Sequence, residues 1–239
     1  MSPIPASHGP PANRSLVIVA LPGTGSDGDF AGRAFADETI PVIAVDPTEN
    51  GLINTYLQAL DDAAADGHRV LAAGVSIGAC VAVRWALEHP THCSGVLAAL
   101  PPWLGDPATA PAAHSALLTL DHLARTGLDT TIDQMSAATP GWLATELARS
   151  WRATAPVLRA MLTEAARYHA PTAEDLAELS VPLSITATID DPVHPLSVAQ
   201  TWHHAAPQAL LHTITLDDLG ADPAVLGRRC VDGWRRLTS

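Results

Sequence analysis

Short apolar runs alternate along the chain with longer segments of helical length. Residues 15–21, 41–45, 69–73, 95–100, 183–188 and 210–216 are rich in Val, Ile, Leu or Ala and close at turn residues, which predicts buried β-strands. Between them, 52–65, 77–88, 195–205 and 223–237 have the length and composition of helices, and Pro223 suits a first helical turn. Repetition of strand, helix, strand builds right-handed crossovers, so the pattern predicts an α/β fold with a mostly parallel central sheet and helices on both faces. The rhythm breaks at 101–179, where helical segments are punctuated by Gly105, Gly127 and Pro140-Gly141 and carry Trp103, Trp142 and Trp151. An insertion of that length between two strands is expected to form a helical cap over the carboxyl edge of the sheet, where open α/β sheets bind ligands. The tryptophans are read as filling the cap's own core, and none is assigned to ligand binding.

Composition narrows the classes. Nothing after residue 14 breaks the 239-residue chain, so 15–239 is expected to be one domain. Residues 1–14 hold four prolines and no apolar stretch, and read as a flexible tail, not a signal peptide. Apolar runs are too short to span a bilayer. The formal charge of -12 disfavours nucleic acid and anionic membrane surfaces as partners. All 13 basic residues are arginine, which excludes Schiff-base chemistry, pyridoxal phosphate attachment and a lysine-bearing phosphate loop. Cys80, Cys93 and Cys230, odd in number and set among apolar residues, read as reduced core thiols of a cytoplasmic protein. No cofactor is expected. No metal is expected either, because Asp190-Asp191 and Asp217-Asp218 read as solvated turns without ligand spacing. Arginine-only, alanine-rich usage points to a GC-rich bacterial genome.

The chemistry concentrates in Gly74-Val75-Ser76-Ile77-Gly78, between an apolar run and a helix-compatible run. A serine on a sharp strand-to-helix turn is held in a strained conformation with its hydroxyl presented, and the glycines are needed where a side chain would strike neighbouring backbone. Leu21-Pro22-Gly23-Thr24-Gly25-Ser26 follows the first expected strand, where the bland reading is an ordinary tight turn. After the strand at 183–188 comes Thr188-Ile189-Asp190-Asp191-Pro192-Val193-His194-Pro195, which could equally be a turn with a helix cap.

With these motifs the chain resembles the α/β-hydrolase superfamily over about 15–237, through its G-x-S-x-G nucleophile elbow. The resemblance implies a serine hydrolase with Ser76 as nucleophile, and oxyanion donors in the N–H groups of Thr24 and Ile77. It implies Asp191 as the acid, with three residues between it and Pro195, and with Asp190 behind it. It also implies a histidine on the loop after the last strand, but 216–223 has none, and Ala221 stands where the base would fall.

Three resolutions stay open. In the first, His194, within the acid loop, serves as the base in place of a residue at 221; its bland reading is a solvated loop histidine. Alternatively, Ala221 replaces a natural histidine and the chain is impaired. Or the cleft serves another class: a lyase, cyclase or cofactor-free oxygenase, or a small-molecule binder with a vestigial site. His203, His204 and His212 read as structural, and His114, His122 and His169 as too remote. On the first resolution the substrate is a small, mainly apolar ester, thioester or amide.

Overall fold

In the computed structural model, which describes residues 15–239, six strands make one parallel sheet: β1 (Leu16–Leu21), β2 (Val42–Ala44), β3 (Arg69–Val75), β4 (Cys93–Ala99), β5 (Leu183–Thr188) and β6 (Ala209–Ile214). The tail expected at 1–14 lies outside the described residues. The strand order is β2-β1-β3-β4-β5-β6, with β1 flush against β3 from Leu16–Arg69 to Leu21–Gly74. Chain order reverses direction across the sheet between β1 and β3, and such a switch point opens a crevice beyond the strands' carboxyl ends. Both glycine-bearing loops of the sequence leave the sheet there.

Alternation along each buried strand divides the core in two. From β1, Val17, Val19 and Leu21 join Tyr56, Trp85 and Trp202 on the face covered by α2 (Leu52–Ala65), α3 (Ile77–Glu88) and α9 (Leu196–Ala205). Ile18 and Ala20 join Phe30, Phe35, Leu226 and Cys230 on the opposite face, under α1 (Gly28–Ala34) and α11 (Val225–Thr238).

Between β4 and β5 the chain forms α4 (Pro111–Thr126), α5 (Leu128–Ala137), α6 (Gly141–Ala153), α7 (Leu158–Ala165) and α8 (Ala173–Ala177). These helices have a small core of their own, including Leu123, Ile132, Trp151, Leu158 and Leu162. Of the three tryptophans expected there, only Trp151 belongs to it. Trp103 enters the main core, where its carbonyl accepts the Trp202 indole N–H at 3.2 Å, and Trp142 packs against the α1/α11 face.

The expected strand at 41–45 shortens to an edge strand whose Ile43 and Ala44 are exposed. The strand expected at 210–216 begins and ends earlier, because Thr215 and Asp218 form a capping box that starts α10 (Leu216–Ala221). That segment reads as a loop in the sequence and is a helix in the structure. α1 also goes unpredicted; Asp27 caps it by accepting from the Phe30 N–H. Among the described residues, no helix is long and apolar enough to cross a membrane.

Candidate active site

The elbow follows from two close approaches. A Cβ added at Gly74 would lie 2.1 Å from the Gly78 carbonyl carbon, and one at Gly78 would lie 2.5 Å from the Leu21 carbonyl oxygen, so neither position admits a side chain. Between them Ser76 takes φ 54° and ψ -117°, a conformation L-residues avoid. Its N–H donates to the Ala99 carbonyl at 2.9 Å, and its own carbonyl accepts from Ala79 N–H at 2.9 Å, which fixes the strained residue between β4 and the first turn of α3.

The structure brings Ser76 and His194 together across 118 residues, with His194 Nε2 2.9 Å from Ser76 Oγ. His194 Nδ1 lies 2.7 Å from Asp191 Oδ2, and the other Asp191 oxygen accepts the Val193 N–H at 2.7 Å. The Asp191 and His194 side chains are only 11% and 16% exposed, so water competes little for either bond. Burial alone would raise the Asp191 pKa. The hydrogen bond and charge of His194, with the Val193 and His194 N–H groups, outweigh it and hold the carboxyl below its ordinary value. An ionised carboxylate can only accept, so Nδ1 carries the imidazole proton and Nε2 presents its lone pair to the serine hydroxyl.

Asp190 goes elsewhere. Its carboxylate accepts the Leu216 N–H at 2.9 Å, tying the loop after β5 to the first turn of α10. Ala221 ends α10 and is exposed, and Trp142 covers the neighbouring Gly220, where a Cβ would lie 2.4 Å from the indole. Other histidines have structural surroundings. His203 and His204 sit in the last turn of α9, and His114 bonds to the Ala108 carbonyl at 2.7 Å. His212 lies on β6, where burial and then Arg229 and Arg236 lower its pKa.

The loop 22–27 lies against the elbow. A Cβ at Gly23 would stand in ordinary van der Waals contact with the elbow, 3.5 Å from Ser76 Cβ. Among the described residues, neither the Thr24 nor the Ile77 N–H has an acceptor, and Ile77 begins α3, where the first N–H groups have no partner within the helix. The sequence reading missed the groups that hold this loop. Tyr56, buried at 0% exposure, donates from Oη to the Pro22 carbonyl at 3.0 Å, and Asp46 accepts the Gly28 N–H at 2.8 Å. Only the N-cap pattern at Asp27 was there to signal them. Near this loop Asp27, Asp29 and Glu146 converge, and Arg33 and Arg149 already pair with them.

No known protein-family model and no curated protein sequence matches the chain. Solved structures do match in fold. A thermophilic esterase from Thermogutta terrifontis superposes with a TM-score of 0.70 at 16% identity, over 95% of this chain and 91% of that one. A hydrolase from Oleispira antarctica gives 0.67 at 15% identity, over 85% and 84%. An α/β hydrolase from Sphaerobacter thermophilus gives 0.64 at 16% identity, over 92% and 93%. With its six-stranded parallel sheet, strand order and elbow at the switch point, the chain has the α/β-hydrolase fold.

Proposed function

We propose that the protein is a serine hydrolase that cleaves a small, mainly apolar ester, thioester or amide through an acyl-Ser76 intermediate. The observation that carries this reading is the continuous hydrogen-bonded run from Ser76 Oγ through the His194 ring to Asp191, with the serine on a strained turn. His194 Nε2 takes the hydroxyl proton as Oγ attacks the carbonyl carbon, and Asp191 stabilises the imidazolium that results. The carbonyl electron pair moves to oxygen, where the N–H groups of Thr24 and Ile77 receive it; one such donor is worth on the order of 10²–10³ in rate. Collapse of the tetrahedral intermediate expels the leaving group with the proton from His194. Water, deprotonated by the same ring, then releases the acid and restores Ser76. No residue at 221 is required.

We further infer that the five-helix segment between β4 and β5 selects the substrate as a cap. Three separated, buried thiols suit a reducing cytoplasm.

Reaction of the intact protein with a fluorophosphonate probe, read by mass, tests the reading. The parent chain is expected to label at Ser76, Ser76→Ala not at all, and His194→Ala at least 10³-fold more slowly. A parent that stays unlabelled under conditions where it is folded would end the hydrolase reading in favour of a non-hydrolytic catalyst or a binder.

A further inference from the structure

We infer that three consecutive residues of α6, Arg149, Ser150 and Trp151, are positioning residues for the oxyanion loop, so that the helical segment between β4 and β5 sets how the transition state is held. This rests on the hydrolase reading above and extends it to groups that never touch substrate.

Ser150, 0% exposed, donates from Oγ to the Gly25 carbonyl at 2.7 Å across 125 residues of sequence. Arg149 forks onto Asp27, with one N–H at 2.8 Å from Oδ2 and another at 2.7 Å from Oδ1. Asp27 caps α1, so the guanidinium grips the point where the loop becomes a helix. Glu146 orients Arg149 from one turn back on α6, accepting from its Nε at 3.2 Å. Trp151 closes the third side. Its indole nitrogen would lie 2.7 Å from a Cβ at Gly25, which has φ +74°, so the ring fits only against a glycine in this conformation. Among the described residues, the Trp151 and Ser26 polar atoms have no hydrogen-bond partner, so the indole acts on the loop by contact.

The remaining backbone groups around Thr24 are fixed from the body of the fold and by a turn within the loop itself. The Pro22 carbonyl accepts from Tyr56, the Gly23 carbonyl from Ser26 N–H at 3.0 Å, and Gly28 N–H reaches Asp46. The Thr24 N–H is thus left free in a loop pinned on both sides. A donor aimed in advance needs no reorganisation when negative charge develops, which is the source of its catalytic value. Half of the pinning comes from α6. Loosening α6 therefore misaims the donor without altering Ser76, His194 or Asp191.

The test compares Ser150→Ala and Arg149→Lys with the parent and with Arg152→Ala, an exposed arginine on the same helix. Steady-state kinetics on a p-nitrophenyl ester are expected to show kcat lowered on the order of 10- to 100-fold in the first two variants, with KM within about twofold. Arg152→Ala should match the parent. Hydrogen exchange should quicken at least tenfold in the peptide spanning 21–28 and stay unchanged in the peptide spanning 74–80. Unchanged kcat together with unchanged exchange would overturn the inference, as would a rise in KM at constant kcat, which would mean that α6 binds substrate instead. If Ser150→Ala does not fold, Arg149→Lys, at a partly exposed position, carries the same comparison. A parent that never labels with fluorophosphonate sinks the hydrolase reading separately, and the exchange comparison still supports or overturns the coupling of α6 to the loop.

Discussion

Replacing Asp191 by Asn, beside the same change at Asp190, separates two adjacent carboxylates to which the structure gives different partners. In Asp191→Asn the amide oxygen can keep the 2.7 Å bond from Val193 N–H, so the loop should hold its shape. The amide nitrogen then faces His194 Nδ1, where a carboxylate oxygen stood at 2.7 Å. Two donors cannot face each other, so Nδ1 becomes the acceptor and the ring proton moves to Nε2. That nitrogen, 2.9 Å from Ser76 Oγ, no longer offers a lone pair to the hydroxyl. Loss of the correct tautomer in a serine triad lowers kcat by about 10⁴, or about 5.4 kcal/mol at 1.36 kcal/mol per decade. Asp190→Asn retains an acceptor for Leu216 N–H on an exposed loop, so its kcat should stay within about twofold. The assay is p-nitrophenyl ester turnover alongside the fluorophosphonate labelling rate, with thermal unfolding to show that both variants are folded. The reasoning is refuted if the two variants lose activity equally, or if folded Asp191→Asn retains more than a tenth of parental kcat.

Three further outcomes are expected. Gly78→Ala should destabilise by more than about 2 kcal/mol in urea titration, because its Cβ would lie 2.5 Å from backbone, where no flexible side chain can yield. Burial pushes the Cys93 thiol up to about 11 and Cys230 to about 12, and raises Cys80 further still, so a disulfide reagent at pH 8 should modify the native protein only as fast as it unfolds; rapid modification of any one would contradict the packing. The pKa of Asp191 is held below its ordinary value by His194 despite burial, and that of Asp27 by Arg149 despite burial. The unfolded chain therefore binds more protons in acid, so the stability these groups lend is present above the ordinary carboxylate pKa of about 4 and lost as pH falls through their folded values. Melting temperatures between pH 6 and pH 3 should decline less steeply in Asp191→Asn than in the parent, and parallel curves would count against the carboxylate's role.

The fold class and the strand sequence were legible because buried parallel strands announce themselves as short apolar runs between helical spans. Ser76 was legible for a different reason: its glycines are dictated by backbone contacts of 2.1 and 2.5 Å, and that necessity writes a local motif. Asp191 and His194 could be singled out within one loop, but their contact with the serine depends on how that loop folds back over the sheet. α10 was missed because its apolar positions are few and only the Thr215–Asp218 capping box marks it. The contacts of Tyr56 and Arg149 were invisible, since each joins segments 34 and 122 residues apart through a single side chain, with no periodicity to report it.

Under the proposed mechanism, sheet geometry accounts for a base on the acid's own loop. At the carboxyl edge, Ser76 N–H bonds to the Ala99 carbonyl and Leu100 N–H to the Thr186 carbonyl at 2.8 Å, which ties β3, β4 and β5 together beside the elbow. Strands lie about 4.8 Å apart, so the chain leaving β5 is about 10 Å from the strand that carries Ser76, and the chain leaving β6 about 14 Å. A residue on the loop after β6 must cross the additional strand; a residue after β5 need only turn inward. Here Asp191 supplies the turn, since its side chain accepts the Val193 N–H and so folds the loop toward His194, while Asp190 anchors the other flank to α10. The same short segment thereby carries the acid, the imidazole and the bonds that aim them, and the chain beyond β6 is released to form α10. On this view position 221 need not carry a histidine, because His194 already reaches Ser76 from the loop after β5. Ala221→His, placed at the exposed end of α10, should then fail to restore activity to His194→Ala.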